Sequence, residues 1–298
     1  MTTLTTFGFE FEVATEAAAL TRHLYDLGHT GDADMHRWHC DCDGCQLDSG
    51  NLFRAQTDSS CSGELITEVL HHSPDDHRYM PDVFDILQAA ALEVDAEPGL
   101  TAGMHVHVGI GHLSGVQLRS ALWAYMRYES VLCALAAGRW ERQRENNESV
   151  RQLCSYPLHQ FADEATNATS AMLHIEEHND DLSRIQRDIL DEHQAHDRHS
   201  NLNLSTNHGT WEFRLWNSTR SAWRMEMFTR LSVAMVDPTV VDALNASAFP
   251  QRTTPQAVDR FATLLLDHGH DRCAELVDRQ ARYSVEGAAC APSTLTSL

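Results

Sequence analysis

The sequence RHSNLNLSTNHGTWEFR (residues 198–214) ends with an acid and a base two positions apart, Glu212 and Arg214. Successive side chains of a β-strand point to opposite faces, so both groups would lie on one face, with Trp211 and Phe213 on the other. An Asn-His-Gly turn precedes them, which predicts a pair of strands joined by that turn. A single acid–base pair of this kind is often only a surface ion pair.

The same pattern occurs twice more in the chain. The stretch FGFEFEV places Glu10 and Glu12 on one strand face, and GMHVHVG does the same for His105 and His107. Three strands therefore each direct two ionisable side chains the same way. Burying so many charges is costly unless something compensates them, and a bound cation is the usual compensation. The pattern therefore predicts a metal site on one face of a sheet.

The length allows one large domain or two modest ones, and no linker divides the chain. The chain has 298 residues, of which 42% are hydrophobic, so it can bury a substantial core. We expect one catalytic domain over residues 1–283, with an inserted Cys- and His-rich loop at about residues 28–57 and a disordered tail at 284–298. No apolar run reaches the roughly 18 residues of a membrane span, and the start has no signal-peptide pattern. A cytoplasmic protein that does not bind membranes is expected.

The charge balance excludes several functions. Acids number 43 against 22 bases, all of them arginine, since the chain contains no lysine. The absence of lysine excludes a Walker A loop, a Schiff-base enzyme and a kinase of the lysine-dependent kind. A net charge of −21 argues against general nucleic-acid binding. Any phosphate would have to be held by arginine, backbone amides or metal ions.

A cysteine cluster in the inserted loop predicts a second, structural metal site. Three cysteines occur within six residues, too close for an easy disulfide, and thiolates favour tetrahedral zinc. A reduced loop without metal is the alternative. The candidate zinc ligands are Cys40, Cys42, Cys45, His36, His39 and Cys61.

Between the charged strands, helical spacing alternates with strand patterns, which predicts an α+β fold. Helices are predicted over residues 15–27, 74–94, 114–137, 171–196, 220–246 and 254–282. Strands are predicted at 7–13, 59–70, 101–110 and 201–216.

A fourth acidic element completes an ordered set of motifs. The stretch DSSCSGELI contains Asp58 and Glu64 and lies between the first two charged strands. The chain thus has Glu-x-Glu, Asp-x-Ser with Gly-Glu, Gly-x-His-x-His and Glu-x-Arg in that order. In this it resembles the glutamine synthetase and glutamate–cysteine ligase superfamily of carboxylate–amine ligases, and most closely the amidoligases common in bacteria and phages. The resemblance covers residues 7 to about 237, and a virus-encoded protein is compatible with it.

The resemblance implies a fold and a set of site residues. The expected fold is an antiparallel sheet that forms a funnel covered by helices, with ATP entering one end and two or three Mg²⁺ or Mn²⁺ ions in the middle. The metal ligands that it implies are Glu10, Glu12, Asp58, Glu64, His105 and Glu212. The residues that it places near nucleotide, phosphate or substrate are His107, Arg198, Asn203 and Arg214, and those it implicates in catalysis are Glu212, Arg214, His107 and Arg198. Two departures, the direct Gly63–Glu64 neighbours and Thr67-Glu68 where the family often has Ser-Pro, leave one pocket wall unspecified.

The resemblance also implies a reaction. An ATP-dependent carboxylate–amine ligase would form an amide or isopeptide bond through an acyl phosphate, with small-molecule or peptide substrates. Hard oxygen ligands suit Mg²⁺, and an imidazole among them admits Mn²⁺. Two alternatives stay open: a metal-dependent hydrolase that uses the His-x-His and acid cluster, and a catalytically inactive binding member of the same fold. The sequence identifies neither the two substrates nor the oligomeric state.

Overall fold

The computed structural model describes residues 5–13, 16–26, 28, 53–57, 63–67, 69–72, 84–85, 88, 103–137, 202–203, 209–219, 221–247 and 254–289. Strands and helices are mixed along this part of the chain, as the sequence predicts. In chain order the elements are β1 (Thr5–Val13), α1 (Ala17–Asp26), β2 (Phe53–Gln56), β3 (Gly63–Thr67), β4 (Leu70–His72), β5 (Gly103–Gly109), α2 (Gly115–Ala137), β6 (Leu202–Asn203), β7 (Thr210–Asn217), α3 (Ala222–Ala234), α4 (Pro238–Ala246), α5 (Pro255–Asp267) and α6 (Asp271–Ala289).

The described strands form one antiparallel sheet. Their order is β2-β3-β1-β5-β7-β6, and β4 pairs with the first residues of β1. The antiparallel sheet agrees with the expected fold class, whereas its closure into a funnel stays a prediction. Strand β2 corrects the sequence prediction, which placed residues 53–56 in the inserted loop. Four residues are too few for alternation to be recognised, and pairing with β3 is what makes this segment a strand.

One face of the sheet carries the hydrophobic core. Phe9, Phe11 and Val106 alternate with the charged residues of β1 and β5 and are almost fully buried. Helix α2 covers β7, where the ring of Tyr125 meets Phe213 edge-on at 5.8 Å between centroids. Helix α3 packs against β1 and β5. The helices thus bury the apolar side chains, and alternation leaves the charged ones on the opposite face.

A β-bulge interrupts the pairing of β5 with β7. Phe213 pairs with Val106 and Trp216 pairs with Met104, so three residue steps along β7 correspond to two along β5. The extra residue lets Trp216 turn into the core, where it is fully buried. Bulges bend a strand and re-aim its side chains, and they are frequent beside active sites. This one lies at Arg214.

The last two predicted helices are each broken in two. Residues 220–246 form α3 and α4, because Pro238 cannot continue a helix and instead begins a new one behind the N-cap Asp237. Residues 254–282 form α5 and α6, separated at Gly269, whose φ of 80° requires glycine. Helix α6 runs to Ala289, past the start of the predicted tail. Residues 290–298 and the predicted helix at 171–196 lie outside the described residues.

None of the described helices combines the length and the apolar character needed to cross a membrane.

Candidate active site

The charged side chains predicted from separate motifs come together on the polar face of four neighbouring strands. Glu64 of β3 lies opposite Glu12 of β1. Glu10 of β1 lies opposite His105 of β5, and His107 of β5 lies opposite Glu212 of β7. Cross-strand partners lie about 5 Å apart at Cβ, so this register alone brings six ionisable groups into one patch.

His105 lies at the centre of this patch. Its Nδ1 is 3.0 Å from Glu10 Oε2 and 3.4 Å from Glu212 Oε1, and its Nε2 is 3.6 Å from Glu12 Oε1. The imidazole is 3% exposed, and Glu12, Glu64 and Glu212 are at most 5% exposed. One buried ring therefore contacts three carboxylates from two sequence motifs.

His107 supplies a second imidazole at the edge of the patch. Its Nδ1 lies 3.3 Å from Thr210 Oγ1. Its Nε2 is buried and has no hydrogen-bond partner within the part of the chain that the structure describes, although Glu10 Oε1 is 3.3 Å away in ion-pair contact. A buried ring nitrogen without a hydrogen bond is unusual, and a metal ion is one partner that would satisfy it.

Two groups of side chains have the spacing of metal-ligand sets. Glu10, His107 and Glu212 offer ligand atoms within 4.8 Å of one another, and so do Glu10, Glu64 and His105. Glu10 belongs to both groups, as a carboxylate bridging two ions would. Carboxylate oxygens with an imidazole suit Mg²⁺ or Mn²⁺, so the residues present fit divalent cations.

Arg214 borders the patch on the β7 side. Its Nη1 donates to Glu212 Oε1 at 2.5 Å. The guanidinium side chain is 17% exposed and Glu212 is nearly buried, so the pair is shielded from solvent. A guanidinium fixed beside carboxylates is suited to hold an anionic group such as phosphate next to bound cations.

The electrostatics of Glu10 and His107 are coupled. Burial by itself would raise the pKa of Glu10, but its contacts with His105 and His107 outweigh burial and hold this pKa well below its usual range. Burial would likewise lower the pKa of His107, but its contacts with Glu10 and the charge of Glu212 raise it, against the opposing charge of Arg214. The half-buried carboxylate of Glu10 is thus kept ionised, as a metal ligand must be.

A cavity of about 760 Å³ opens beside Glu10 and His107. It continues along the first half of β1 past Phe7 and Gly8 and reaches Gly209 before β7. Its volume lies within the range of small-molecule pockets. The charged patch therefore borders a space that a substrate could occupy.

Two polar residues of this face were missed by sequence reasoning. Gln56 Nε2 donates to Glu64 Oε2 at 2.7 Å, and Arg54 Nη2 donates to Gln56 Oε1 at 3.2 Å. Both belong to β2, which was not recognised as a strand. The signal available was the two-residue spacing of Arg54 and Gln56 in FRAQ, which repeats the pattern of the other charged strands.

Several predicted site residues lie outside the described residues. Asp58, Arg198 and the whole candidate zinc set stay predictions for this reason; that set is Cys40, Cys42, Cys45, His36, His39 and Cys61. The backbone of Asn203 pairs with Glu212, which brings β6 to the patch. Among the described residues, Cys273 is buried and Cys133 is half-buried.

Comparison with known proteins identifies the family of the chain. No curated protein matches the chain. The model of the protein family described as "Putative amidoligase enzyme" matches residues 4–236, which include every described element from β1 to α3. The chain therefore belongs to this amidoligase family.

Proposed function

We propose that the protein is an ATP-dependent carboxylate–amine ligase that forms an amide or isopeptide bond through an acyl phosphate. The observation that carries the proposal is the convergence of four glutamates and two histidines on neighbouring strands, with Arg214 at their edge and a cavity beside them. Family membership supports a ligase. The remaining steps rest on the chemistry of these residues.

We assign two cation positions to the patch, one held by Glu10, Glu64 and His105 and the other by Glu10, His107 and Glu212. Glu12 borders the first position, with its Oε2 fixed by the backbone N–H of Gly103 at 2.5 Å. Bound Mg²⁺ or Mn²⁺ would neutralise polyphosphate charge and align the phosphoryl donor with its acceptor. Asp58 is proposed as a further ligand from the family resemblance.

The reaction would proceed in two steps. A carboxylate oxygen of the first substrate attacks the γ-phosphorus of ATP, the bond to the β–γ bridging oxygen breaks, and ADP leaves. The amine of the second substrate then attacks the acyl carbon, the phosphate leaves, and the nitrogen loses a proton to solvent or a nearby base. The acyl phosphate is needed because hydroxide is a poor leaving group at neutral pH.

Arg214 would hold the phosphoryl group during both steps. Its guanidinium donates hydrogen bonds in a fixed plane. It can therefore stabilise negative charge on the phosphoryl group without taking part in the proton transfer from the amine. Glu212 keeps that plane in place through the 2.5 Å contact. Arg198 and Asn203 are proposed to face the nucleotide or substrate, and the cavity beside Glu10 to admit a small-molecule or peptide substrate.

A hydroxylamine trap tests the proposal. Purified protein with ATP, Mg²⁺ and pools of amino acids and other carboxylates should release phosphate and form a hydroxamate, because hydroxylamine attacks an acyl phosphate in place of the amine. A hydrolase would act without ATP, and an inactive binding protein would release no phosphate. Either result would overturn the ligase assignment.

The matched control uses two buried glutamates that are both paired with arginine. Glu212→Gln should abolish hydroxamate formation, since it removes a ligand charge and keeps the shape. Glu226 contacts Arg230 at 2.9 Å and Arg272 at 3.0 Å among the helices. Glu226→Gln should lower stability and keep the turnover of the folded protein. Equal losses in the two variants would mean that Glu212 acts only in folding.

A further inference from the structure

Strand β2 adds a hydrogen-bonded chain to the polar face of the sheet. Gln56 lies opposite Glu64, and Glu64 lies opposite Glu12, so these three side chains form one row across β2, β3 and β1. Arg54 lies two residues before Gln56 and therefore on the same face, while Ala55 between them is buried against the core. The chain runs from Arg54 through Gln56 to the carboxylate of Glu64.

The direction of this chain follows from the chemistry of its ends. A guanidinium has only donors and an ionised carboxylate has only acceptors. The amide of Gln56 can serve both neighbours in one orientation alone, with its oxygen toward Arg54 and its nitrogen toward Glu64. Arg54 and Glu64 therefore favour the same orientation of the amide, and Arg54 holds the amide oxygen away from the carboxylate.

We infer that Gln56 is a positioning residue that orients the carboxylate of Glu64 for cation binding, and that Arg54 fixes the orientation of Gln56. The inference rests on the cation positions of the proposed function. Gln56 and Glu64 are 5% and 4% exposed, so water does not substitute readily for their 2.7 Å hydrogen bond.

A neutral amide has an advantage over a cation in this position. An arginine or lysine in direct contact with Glu64 would neutralise part of the charge that attracts the metal. Gln56 donates a hydrogen bond to Glu64 and adds no positive charge of its own, and Arg54 donates to the amide oxygen of Gln56. Partners of this kind orient metal ligands, and their loss commonly weakens metal binding 10- to 100-fold.

Titration of the protein with Mn²⁺ alone, followed by calorimetry and electron paramagnetic resonance, measures this role without turnover. Gln56→Met keeps the volume and removes the donor, and it should raise the Kd about 10- to 100-fold. Arg54→Met should raise the Kd by a smaller factor, and Arg54→Lys should restore most of the affinity because a donor remains. The half-exposed position of Arg54 also allows the test if Gln56→Met does not fold.

A double-mutant cycle tests whether Arg54 and Gln56 act through one hydrogen-bonded chain or independently of each other. With Gln56→Met already present, adding Arg54→Met should change the Kd less than about twofold, because Arg54 affects the Glu64 carboxylate through the amide that Gln56→Met removes. Gln280→Met is the control: Gln280 is 1% exposed and donates to the carbonyl of Leu135 at 3.0 Å, so its loss should lower stability and leave the Kd unchanged.

The outcomes distinguish this inference from the proposed function. Parent protein that binds no Mn²⁺ would overturn both. Parent protein that binds Mn²⁺ with an unchanged Kd in Gln56→Met, or with effects of Arg54 and Gln56 that multiply independently, would overturn the positioning role alone. A Kd raised equally by Gln280→Met would assign the effect to general destabilisation.

Discussion

At the scale of single residues, the same amino acid has different tasks at different places in this protein. Arg214 lies beside buried Glu212 at the charged patch, whereas Arg127 uses two guanidinium nitrogens to bind the carbonyls of Asn245 and Ser247, each at 2.8 Å. Both depend on the planar fork of arginine. Of these two arginines, Arg214 is the one that contacts a glutamate of the charged patch, so its fork is the one expected to matter for turnover.

Arg214→Lys should lower kcat on the order of 10²-fold, since the charge remains and the directed pair of donors is lost. Arg127→Lys should lower the melting temperature without a comparable loss of kcat. The measurement is hydroxamate formation under saturating ATP for both variants. A kcat for Arg214→Lys near that of the parent protein would make Arg214 a structural partner of Glu212.

The close approach of β1 and β5 makes a second prediction. A Cβ at Gly109 would overlap Oγ1 of Thr6, whereas a Cβ at Gly111 would meet no atom within 4 Å. Gly109→Ala should therefore destabilise the protein by roughly 1–3 kcal/mol, as overpacking does, and Gly111→Ala by less than about 0.5 kcal/mol. Urea unfolding measures both. Thr6→Ala should recover much of the loss in the Gly109→Ala background, and no recovery would place the strain elsewhere.

At the scale of elements, the start of α4 depends on one aspartate. Asp237 Oδ1 accepts from the Thr239 backbone at 2.8 Å, and its Oδ2 lies 3.3 Å from His270 Nε2 before α6. Burial would raise the pKa of Asp237, but hydrogen bonds with His270 and Thr239 outweigh it and hold this pKa well below its usual range. One carboxylate thus caps a helix and ties it to the last helical pair.

Because the pKa of Asp237 is lowered in the folded protein, the stability contributed by Asp237 depends on pH. The folded state favours the ionised form, so the stabilisation is present above about pH 4, the unfolded value. It is lost as the pH falls below that value toward the folded pKa. Asp237→Asn keeps the cap and removes the charge, so we expect it to cost roughly 1 kcal/mol at pH 7, after allowance for solvent screening.

Urea unfolding from pH 7 down to about pH 3.5 measures the difference in free energy of unfolding between the parent protein and Asp237→Asn. This difference in free energy of unfolding should become smaller as the pH falls. Asp242 is an exposed aspartate of the same helix, and Asp242→Asn should show no such narrowing. If the difference between the parent protein and Asp237→Asn stays constant with pH, the charge of Asp237 does not contribute to stability.

The cysteine cluster at residues 40–45 carries a prediction of its own. Protein purified without added metal should contain close to one zinc per chain, because thiolates select zinc while the carboxylate patch selects magnesium or manganese. Changing Cys40, Cys42 and Cys45 to serine should remove the zinc, and Cys133→Ser should not. Elemental analysis gives the ratio, and zinc well below one per chain would leave an ordinary reduced loop.

At the scale of the whole molecule, the net charge of −21 and the buried glutamates both favour cation binding. A ligand that binds only the folded state stabilises it, by about 2.7 kcal/mol at 100 times its Kd. Mn²⁺ should therefore raise the melting temperature by several degrees, more than NaCl of equal ionic strength.

Glu10→Gln tests whether the rise in melting temperature with Mn²⁺ comes from cations bound at the charged patch. Glu10 belongs to both ligand groups, so its loss should abolish most of the Mn²⁺ effect. Glu226→Gln should lower the melting temperature without metal and leave the Mn²⁺ increment intact, because Glu226 pairs with arginines of the helices. A Mn²⁺ increment that is the same in Glu10→Gln and in the parent protein would place cation binding outside the patch.

The sequence by itself determined which side chains share a strand face, because alternation is local to each strand. Glu10 with Glu12, and His105 with His107, follow from a spacing of two residues. Only the tertiary structure decided which strands are neighbours, since pairing joins segments far apart in the chain. It put Glu10 opposite His105 across 95 residues, made a strand of residues 53–56, and linked Gln56 to Glu64. The strand faces that carry the candidate ligands could be predicted from local pattern, whereas the contacts between those faces depend on strand register.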